Sequence, residues 1–264
     1  MEKINPLEHR TLIWNGYENE NYLVNTNGQV YSLENKIYLK PNNFKRSSQL
    51  VSLYMNSRKE SLTIHKVMSE TFPDLMGHTP LSRFIKSGGK LTEKAKQGIN
   101  LNISVDHIDR NPLNNLISNL RFSTRTEQNL NSGPNKNGTC IYKGVSKKAQ
   151  RKEDHIGVVV RCFFAKKKIP LVGCSGQVTK YQRVYSEQES IQKQREYALL
   201  FDETLKAGII DQFSDHPILA NEIINEVTYL NSHHHDKLQK KDEYSRNINL
   251  DTGYSGVINT GSNL

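Results

Sequence analysis

The chain has 264 residues, 35% of them hydrophobic and 24% charged, with a mean hydropathy of −0.68. This composition is lean for one large globule, so we expect a few small cores strung along the chain. A formal net charge of +9 favours an anionic partner such as nucleic acid, although a basic charge alone fits mere solubility equally well. The three cysteines have no CxxC spacing, which excludes a zinc ribbon, and no apolar run is long enough to span a membrane. We therefore expect a soluble, intracellular protein.

Residues 11–63 read as short strands separated by turns, followed by a helix. The strands are predicted at Tyr22–Asn25, Val30–Leu33, Ile37–Leu39 and Val51–Met55. The helix is predicted at Ile64–Phe72, because its apolar residues recur at helical spacing and Pro73 ends it. A short helix is also plausible near Thr92–Gln97, with Thr92 as its N-cap.

The most informative segment is 105–131, which reads VDHIDRNPLNNLISNLRFSTRTEQNLN. It predicts a strand ending at His107, a loop rich in Asn and Asp, a return strand Leu120–Ser123 and a short helix from Thr124. Cleavage of a phosphodiester needs a nucleophilic water and stabilisation of the developing negative charge. A carboxylate and an amide oxygen suit Mg²⁺, which can act as the Lewis acid, and an imidazole can take the proton from water.

This segment closely resembles the ββα-metal site of HNH homing endonucleases, whose signature is near VDHIDGNPLNNxxxNLRxxTxxEN. The resemblance implies that Asp106 is a metal ligand and that His107 is the general base. It implies that Asn119 braces the loop and orients the histidine, and that Mg²⁺, with Mn²⁺ as the alternative, is the cofactor.

The third signature position departs from the family. Gln128 stands where the family usually has Asn or His, and Asn129 is one residue further on, so both are candidates for the second metal ligand. A second question is geometric. Adjacent strand residues point to opposite faces, so Asp106 and His107 can converge only if the strand ends or twists there.

Downstream of a linker at 132–141, the pattern predicts three strands and a helix. The strands are expected at Gly157–Phe164, Ile169–Val172 and Tyr181–Tyr185. Ser186 and Glu189 form a capping box for a helix that Gly208 can end. A further helix is expected to begin at Pro217, and beyond Ser232 we expect a polar, partly disordered tail.

The flanking regions also resemble known modules. Residues 14–33 are similar to the small N-terminal module of homing endonucleases, and Ile64–Phe72 looks like the helix that precedes their HNH signature. In that helix His65 is expected to pack or contact phosphate rather than bind metal. Residues 142–208, beginning Tyr142-Lys-Gly-Val145, moderately resemble the DNA-binding domain of plant ethylene-response factors.

Charge favours DNA binding by this last module. Residues 142–185 contain eleven Lys or Arg against Glu153 and Asp154, an excess that equals the formal charge of the whole chain. A solvated basic surface is the alternative. The residues expected to contact DNA are Lys143, Lys147, Lys148, Arg151, Arg161, Lys166, Lys167 and Lys168, with Arg161 the best candidate for reading a base. His233–His235 is interpreted as an incidental cluster.

Taken together, the sequence predicts an α+β protein. Its parts are a β-rich N-terminal module (1–63), an HNH nuclease domain (64–131), the linker, a DNA-binding domain (142–208) and a C-terminal helix and tail (209–264). The function expected is a site-specific endonuclease of a phage or another mobile element, which leaves 5′-phosphate and 3′-hydroxyl ends on double-stranded DNA. One site per chain favours nicking, and a homodimer on a palindromic site would give a double-strand break. The alternative is a decayed nuclease that only binds DNA.

Overall fold

In the computed structural model, the described residues are 9–44, 48–55, 58–132, 142, 145–152, 155–164, 177–184 and 187–229. They form four small sheets with helices packed against them, which agrees with the α+β class expected from the sequence. None of the helices within these ranges has the length and apolar character needed to cross a lipid bilayer.

Two antiparallel sheets form the N-terminal part. The first contains β1 (His9–Trp14), β2 (Tyr17–Asn25), β3 (Val30–Ser32) and β4 (Ile37–Tyr38), paired in that order. The second contains β5 (Asn42–Phe44), β6 (Ser48–Met55) and β7 (Arg58–Thr63). The four strands that the sequence predicts are all present, although β2 begins at Tyr17 and β6 at Ser48, before the predicted starts at Tyr22 and Val51.

The turn between β2 and β3 is built by its own side chains. Asn25 Oδ1 accepts hydrogen bonds from the backbone N–H groups of Asn27 (3.1 Å) and Gln29 (2.9 Å), and Gly28 takes a positive φ of 77°. This is the arrangement by which an Asx residue and a glycine reverse a chain. The turn matters for the site because Ile117 N–H donates to the backbone oxygen of Thr26 at 2.9 Å.

Helix α1 (Ile64–Thr71) closes the first core. Its predicted apolar residues Ile64, Val67 and Met68 are buried, as is Phe72 directly after it. They pack with residues of both N-terminal sheets and with Leu120 of a later strand. One hydrophobic core therefore runs from the N-terminal sheets into the region of the HNH motif.

The HNH segment has the predicted strand–loop–strand–helix order. β9 (Ile103–His107) pairs antiparallel with β10 (Leu120–Thr124), and β8 (Gly77–His78) lies parallel on the other side of β10. Helix α4 (Arg125–Asn131) follows, after a 3₁₀ turn (Ile117–Asn119) earlier in the loop. Between α1 and β9 lie α2 (Pro80–Lys86) and α3 (Glu93–Lys96), and the Thr92 hydroxyl caps α3 as predicted.

The downstream module is a three-stranded antiparallel sheet of β11 (Val145–Lys152), β12 (His155–Phe164) and β13 (Gln177–Val184). Strand β11 was not expected from the sequence. Several predictions fall outside the described residues. They are the strand Ile169–Val172, the Ser186 cap, the polar tail and the His233–His235 cluster.

Helix α5 (Glu187–Gln212) is longer than predicted, and a last helix, α6, covers residues 217–229. The prediction that α5 ends at Gly208 is wrong. The cost of about 1 kcal/mol for an internal glycine is small beside the burial of Ile209, which lies in the next turn of the helix.

A second hydrophobic core joins the C-terminal helices to the HNH region. Tyr197, Phe201 and Ile209 of α5 and Ile223 of α6 are buried in one cluster with Leu81, Leu91, Ala95 and Leu130 of the HNH region. Gln212 at the end of α5 also donates to the backbone oxygens of Ala95 and Gln97, each at 3.0 Å. The C-terminal helices are thus packed against the HNH part of the molecule.

Candidate active site

Asp106 lies near the end of β9, directly across from Arg121 on β10. Arg121 donates from both Nε and Nη2 to Asp106 Oδ2, each at 3.1 Å, and Asn131 Nδ2 donates to the same oxygen at 2.9 Å. The Asp106 side chain is only 13% exposed. No hydrogen bond joins its other oxygen, Oδ1, to any residue that the structure describes, so that lone-pair face is available to a ligand.

His107 is the last residue of β9 and contacts a different set of neighbours. Its Nε2 lies 3.1 Å from Asn115 Oδ1, while Asn115 Nδ2 donates to Gln49 Oε1 of β6 at 2.9 Å. Because the amide nitrogen is used by Gln49, Asn115 Oδ1 acts as acceptor and His107 Nε2 carries the proton. This tautomer leaves Nδ1 of the imidazole as the basic nitrogen.

A second histidine supports this ring. His65 of α1 meets His107 edge to face, with ring centroids 5.6 Å apart and an interplanar angle of 78°. Burial and, to a smaller extent, the neighbouring His107 lower the pKa of His65 to about 4. Its Nδ1 is buried without a hydrogen-bond partner among the described residues. The prediction that His65 packs rather than binds metal stays a prediction, and the position of its ring against His107 is consistent with it.

Asp106 and His107 contact opposite sides of β9, as expected for neighbours on a strand. Asn131, the last residue of α4, ties the Asp106 carboxylate to the backbone of His107. Its Nδ2 donates to Asp106 Oδ2 and also to the backbone oxygen of His107, at 3.1 Å. Asn131 is only 2% exposed, so a single buried amide fixes the strand end that carries both residues.

Asn119 braces the loop between the two strands. Its Nδ2 donates to Asp109 Oδ1 (2.9 Å) and to the backbone oxygen of Asn114 (2.8 Å), and its Oδ1 accepts from the Asp109 N–H at 3.0 Å. Burial raises the pKa of Asp109, but hydrogen bonds from Asn114, Asn111 and Asn119 outweigh it and hold that pKa below its ordinary value. The contact with the histidine ring comes from Asn115, not from Asn119.

Helix α4 begins with a capping box, which sets the direction of its side chains. The Thr124 hydroxyl accepts from the Glu127 N–H, and the Glu127 carboxylate accepts from the Thr124 N–H. The same carboxylate accepts from the Leu81 N–H at 2.7 Å and from the Thr79 hydroxyl, which ties α4 to the start of α2. The helix is therefore held at its N-terminus as well as by Asn131 at its end.

The roles of Gln128 and Asn129, the two predicted ligands of α4, stay predictions. Gln128 Nε2 donates to Ser104 Oγ at 2.7 Å, and its Oε1 accepts from Arg125 at 3.2 Å. Asn129 is half-buried. The amide that does contact Asp106 is Asn131, which the sequence reasoning missed. Its spacing from Gln128 was a usable signal, since residues three apart share a helix face.

Arg110 occupies the position where the HNH signature has glycine. Its φ is 63°, in the left-handed region that costs a non-glycine residue roughly 1 kcal/mol or more. The Nε of Arg110 donates to Asn131 Oδ1 at 3.2 Å. Burial lowers the pKa of Arg110, while the nearby Asp106 carboxylate acts in the opposite direction. A second guanidinium thus lies beside the pair Asp106–Asn131.

These donors suit a hard cation better than a zinc ion. Among the described residues, no group of three or more His, Cys, Asp or Glu side chains is placed to hold a metal. Asp106 offers a carboxylate oxygen, and the adjacent Asn131 turns its Nδ2 to Asp106 while its Oδ1 accepts from Arg110. Hard divalent cations are commonly bound by one or two carboxylates together with several waters, so the residues present fit such an ion with a mainly aqueous shell.

The predicted DNA-binding residues are distributed along the downstream sheet. Lys147 and Lys148 of β11 pair with Val160 and Val159 of β12, and Arg161 pairs with Ser146 and Tyr181. Arg151 lies further along β11, opposite Ile156. Lys143, Lys166, Lys167 and Lys168 lie outside the described residues.

Comparisons with known proteins found a similar solved structure and a matching family model. A solved structure described as "DNA binding and cleavage by the HNH homing endonuclease I-HmuI" is similar at 24% identity, with a TM-score of 0.33. The similarity covers 47% of this chain and 56% of the other, so this chain spans little more than half of that relative's length. No curated protein matches the sequence. Residues 95–130, which include Asp106, His107 and Asn119, match the family model described as HNH endonuclease, and the prediction of a nuclease is thereby confirmed.

Proposed function

We propose that this protein is a site-specific, divalent-metal-dependent DNA endonuclease of the homing type. The observation that carries the proposal is the double hydrogen bond from Asn131 to Asp106 Oδ2 and to the backbone oxygen of His107. It ties the Asp106 carboxylate to the backbone of His107 through one amide, and that amide directly follows the segment 95–130 that matches the HNH family model.

In this proposal each residue has a distinct task. His107 takes the proton of the attacking water at Nδ1, since the Nε2–H group of the same ring donates to Asn115 Oδ1. Asn119 keeps the loop closed around Asp109, and His65 restrains the His107 ring from the side of α1. A Mg²⁺ or Mn²⁺ ion held by Asp106 and an amide of α4 would supply Lewis-acid stabilisation of the phosphate and of the leaving 3′-oxygen.

Which amide serves as the second ligand is an open part of the proposal. Asn131 is the amide in hydrogen-bond contact with Asp106, and its Oδ1 would have to leave Arg110 to face an ion, whereas Gln128 would have to leave Ser104. We therefore favour Asn131, with Gln128, one helical turn earlier, as the alternative. Products with 5′-phosphate and 3′-hydroxyl ends follow from attack by water with departure of the 3′-oxygen.

The downstream sheet is proposed as the DNA-reading element. Strand alternation puts Arg161 on the same sheet face as Lys148 and Arg183, because both of these pair with Val159, two residues from Arg161. Cations so arranged would contact phosphates or guanine edges of double-stranded DNA. Val145 belongs to the opposite face and is buried against the α5 cluster. A monomer with one nuclease site is expected to nick, and double-strand cleavage would require a second chain, as in a homodimer on a palindromic site.

The first test is cleavage of supercoiled plasmids that carry AT-rich or host-genome inserts, in Mg²⁺, Mn²⁺ or EDTA. We expect metal-dependent nicking that is reduced at least a hundredfold in His107→Ala, because a positioned general base contributes roughly 10²–10⁴-fold. Asn131→Ala, Gln128→Ala and Asn129→Ala run in parallel. The true second ligand is the amide whose loss raises the Mg²⁺ concentration needed for half-maximal cleavage.

DNA binding by the same proteins provides the control. Binding should be salt-sensitive and equal in wild type and His107→Ala, since the imidazole acts in chemistry and not in phosphate contacts. If the protein binds a defined sequence tightly but nicks it in neither Mg²⁺ nor Mn²⁺, it is a decayed nuclease that acts as a DNA-binding protein.

A further inference from the structure

A helix outside the HNH segment reaches the nuclease site. Arg121 donates two of its N–H groups to Asp106, and its remaining terminal nitrogen, Nη1, donates to Glu226 of α6. The Arg121 side chain is 9% exposed, so its guanidinium lies between two carboxylates in a largely desolvated position. Glu226 lies about a hundred residues beyond the HNH segment, which ends at residue 130.

Glu226 is held in place by the packing of its helix. Leu219, Ala220, Ile223 and Val227 of α6 are buried in the core that includes Leu81 and Leu130 of the HNH region. Arg83 of α2 adds an ion pair with Glu222 at 2.9 Å, in which both side chains are about half exposed. The contact between Glu226 and Arg121 is therefore set by the fold of α6 and not by a free side chain.

The charges explain why this contact matters for a cation. Without Glu226, two guanidinium groups, Arg110 and Arg121, would face the single carboxylate of Asp106. A divalent cation would then enter a site with an excess of positive charge. Glu226 cancels that excess and engages the outer edge of Arg121, which weakens the competition of the guanidinium for Asp106.

We propose that Glu226 is a positioning residue of the nuclease site, which acts through Arg121 to keep Asp106 able to bind a divalent cation. This inference rests on the proposed function, in which Asp106 is a metal ligand. It makes the C-terminal helix a working part of the nuclease, in addition to its role in the second core.

The test is direct binding of Mn²⁺ to the full-length protein without DNA, with free Mn²⁺ followed by electron paramagnetic resonance. Glu226→Gln should raise the Mn²⁺ dissociation constant about tenfold, since one nearby charge is lost in a partly buried setting. Glu222→Gln is the matched control, because it removes the other ion pair between α6 and the HNH region and has no link to Asp106. It should bind Mn²⁺ like the wild type.

A double variant separates positioning from a loss of folding. Arg121→Gln combined with Glu226→Gln should bind Mn²⁺ at least as tightly as the wild type, because the competing guanidinium is gone. A protein that had merely lost structure would show no such rescue. In cleavage, Glu226→Gln should need more Mg²⁺ and return to near the wild-type rate at saturating metal.

Asp106→Asn distinguishes a failure of the metal assignment of Asp106 from a failure of the role of Glu226. If it binds Mn²⁺ as well as the wild type, Asp106 is not a ligand and the metal assignment of the proposed function fails. If Asp106→Asn loses binding while Glu226→Gln equals Glu222→Gln, the metal assignment stands and the role of Glu226 is refuted. A double variant as weak as Glu226→Gln alone would also refute it.

Discussion

His65 is a single residue whose burial should be visible in the pH dependence of folding. Its pKa is about 4 in the folded protein, against about 6.5 in an unfolded chain, so protons bind the unfolded state preferentially between these values. The free energy of unfolding should be flat above this window and fall as the pH drops through it. From pH 7.5 to pH 5 we expect the His65 contribution to cost about 2 kcal/mol.

Urea unfolding of wild type and His65→Gln at pH 7.5, 6 and 5 measures this contribution. The difference between the two proteins should shrink or reverse towards pH 5, because only the wild type pays to keep a neutral imidazole. Other histidines and carboxylates cancel in the comparison. Curves that stay parallel over the whole range would show that His65 takes up its proton in the folded state without penalty.

Also at the scale of single residues, the sequence predicts the site only where the residues concerned are neighbours in the chain. The sequence singles out Asp106 and His107 because they are adjacent at a strand end and followed by an Asn-rich loop, and their roles stay predictions. Asn131 and Asn115 were missed because their partners depend on the path of the loop and on where α4 ends. Neither is visible in a linear spacing, since the sequence offers several asparagines and only the fold selects among them.

At the scale of elements, the β2–β3 turn supports the loop between β9 and β10, which carries Asn115. A Cβ added at Gly28 would lie 3.0 Å from Asn115 Cβ, 3.1 Å from its backbone oxygen and 3.2 Å from Ile64 Cγ2. Gly28→Ala should therefore combine left-handed strain with a clash, at a cost of about 2–4 kcal/mol. It should also lower the cleavage rate of the folded fraction, because Asn115 holds the His107 ring.

Gly16→Ala is the control for strain alone. Gly16 has nearly the same φ, 78°, but a Cβ there meets nothing within 4 Å. We expect it to cost about 1 kcal/mol and to leave the cleavage rate unchanged. Equal stability losses in the two variants, measured by urea unfolding, would mean that a Cβ at Gly28 does not clash with the loop that carries Asn115.

Elements with a strong local signal were predicted well. The apolar stripe of α1, the Thr92 cap of α3 and the strand–helix order around Thr124 are all present. β11 was missed because its sequence, VSKKAQRK, has no regular apolar alternation and becomes a strand through its pairing with β12. The end of α5 was misplaced because the core that Ile209 joins is formed by residues distant in sequence.

For the whole molecule, the main feature is that α5 is one continuous helix that contacts both the downstream sheet and the HNH region. Helix α5 packs on the strands of the downstream sheet, Tyr197 and Phe201 lie in the buried cluster that it shares with the HNH region, and its end contacts α3 through Gln212. Glu203 lies between these contacts and is exposed, pairing only locally with Lys206. A kink at this point should uncouple the sheet from the nuclease site without disturbing either.

Glu203→Pro should introduce such a kink at about 3 kcal/mol, whereas Glu203→Ala should behave as wild type. We expect the proline variant to retain DNA affinity but to cut at scattered positions around the normal one. Primer extension on a cleaved target would map them. A single unchanged cut position in Glu203→Pro would mean that α5 does not set the distance between binding and cleavage.

The length of α5 then has a consequence for the DNA itself. Its 26 residues span about 39 Å, which corresponds to about 11 base pairs, close to one turn of duplex. In the proposed function, a sheet and a nuclease site separated by the length of α5 would meet sites one turn apart, which lie on the same side of the double helix, so one chain would read one stretch and cut another without encircling the DNA. The base pairs between them would act as a spacer whose length is constrained and whose sequence is free.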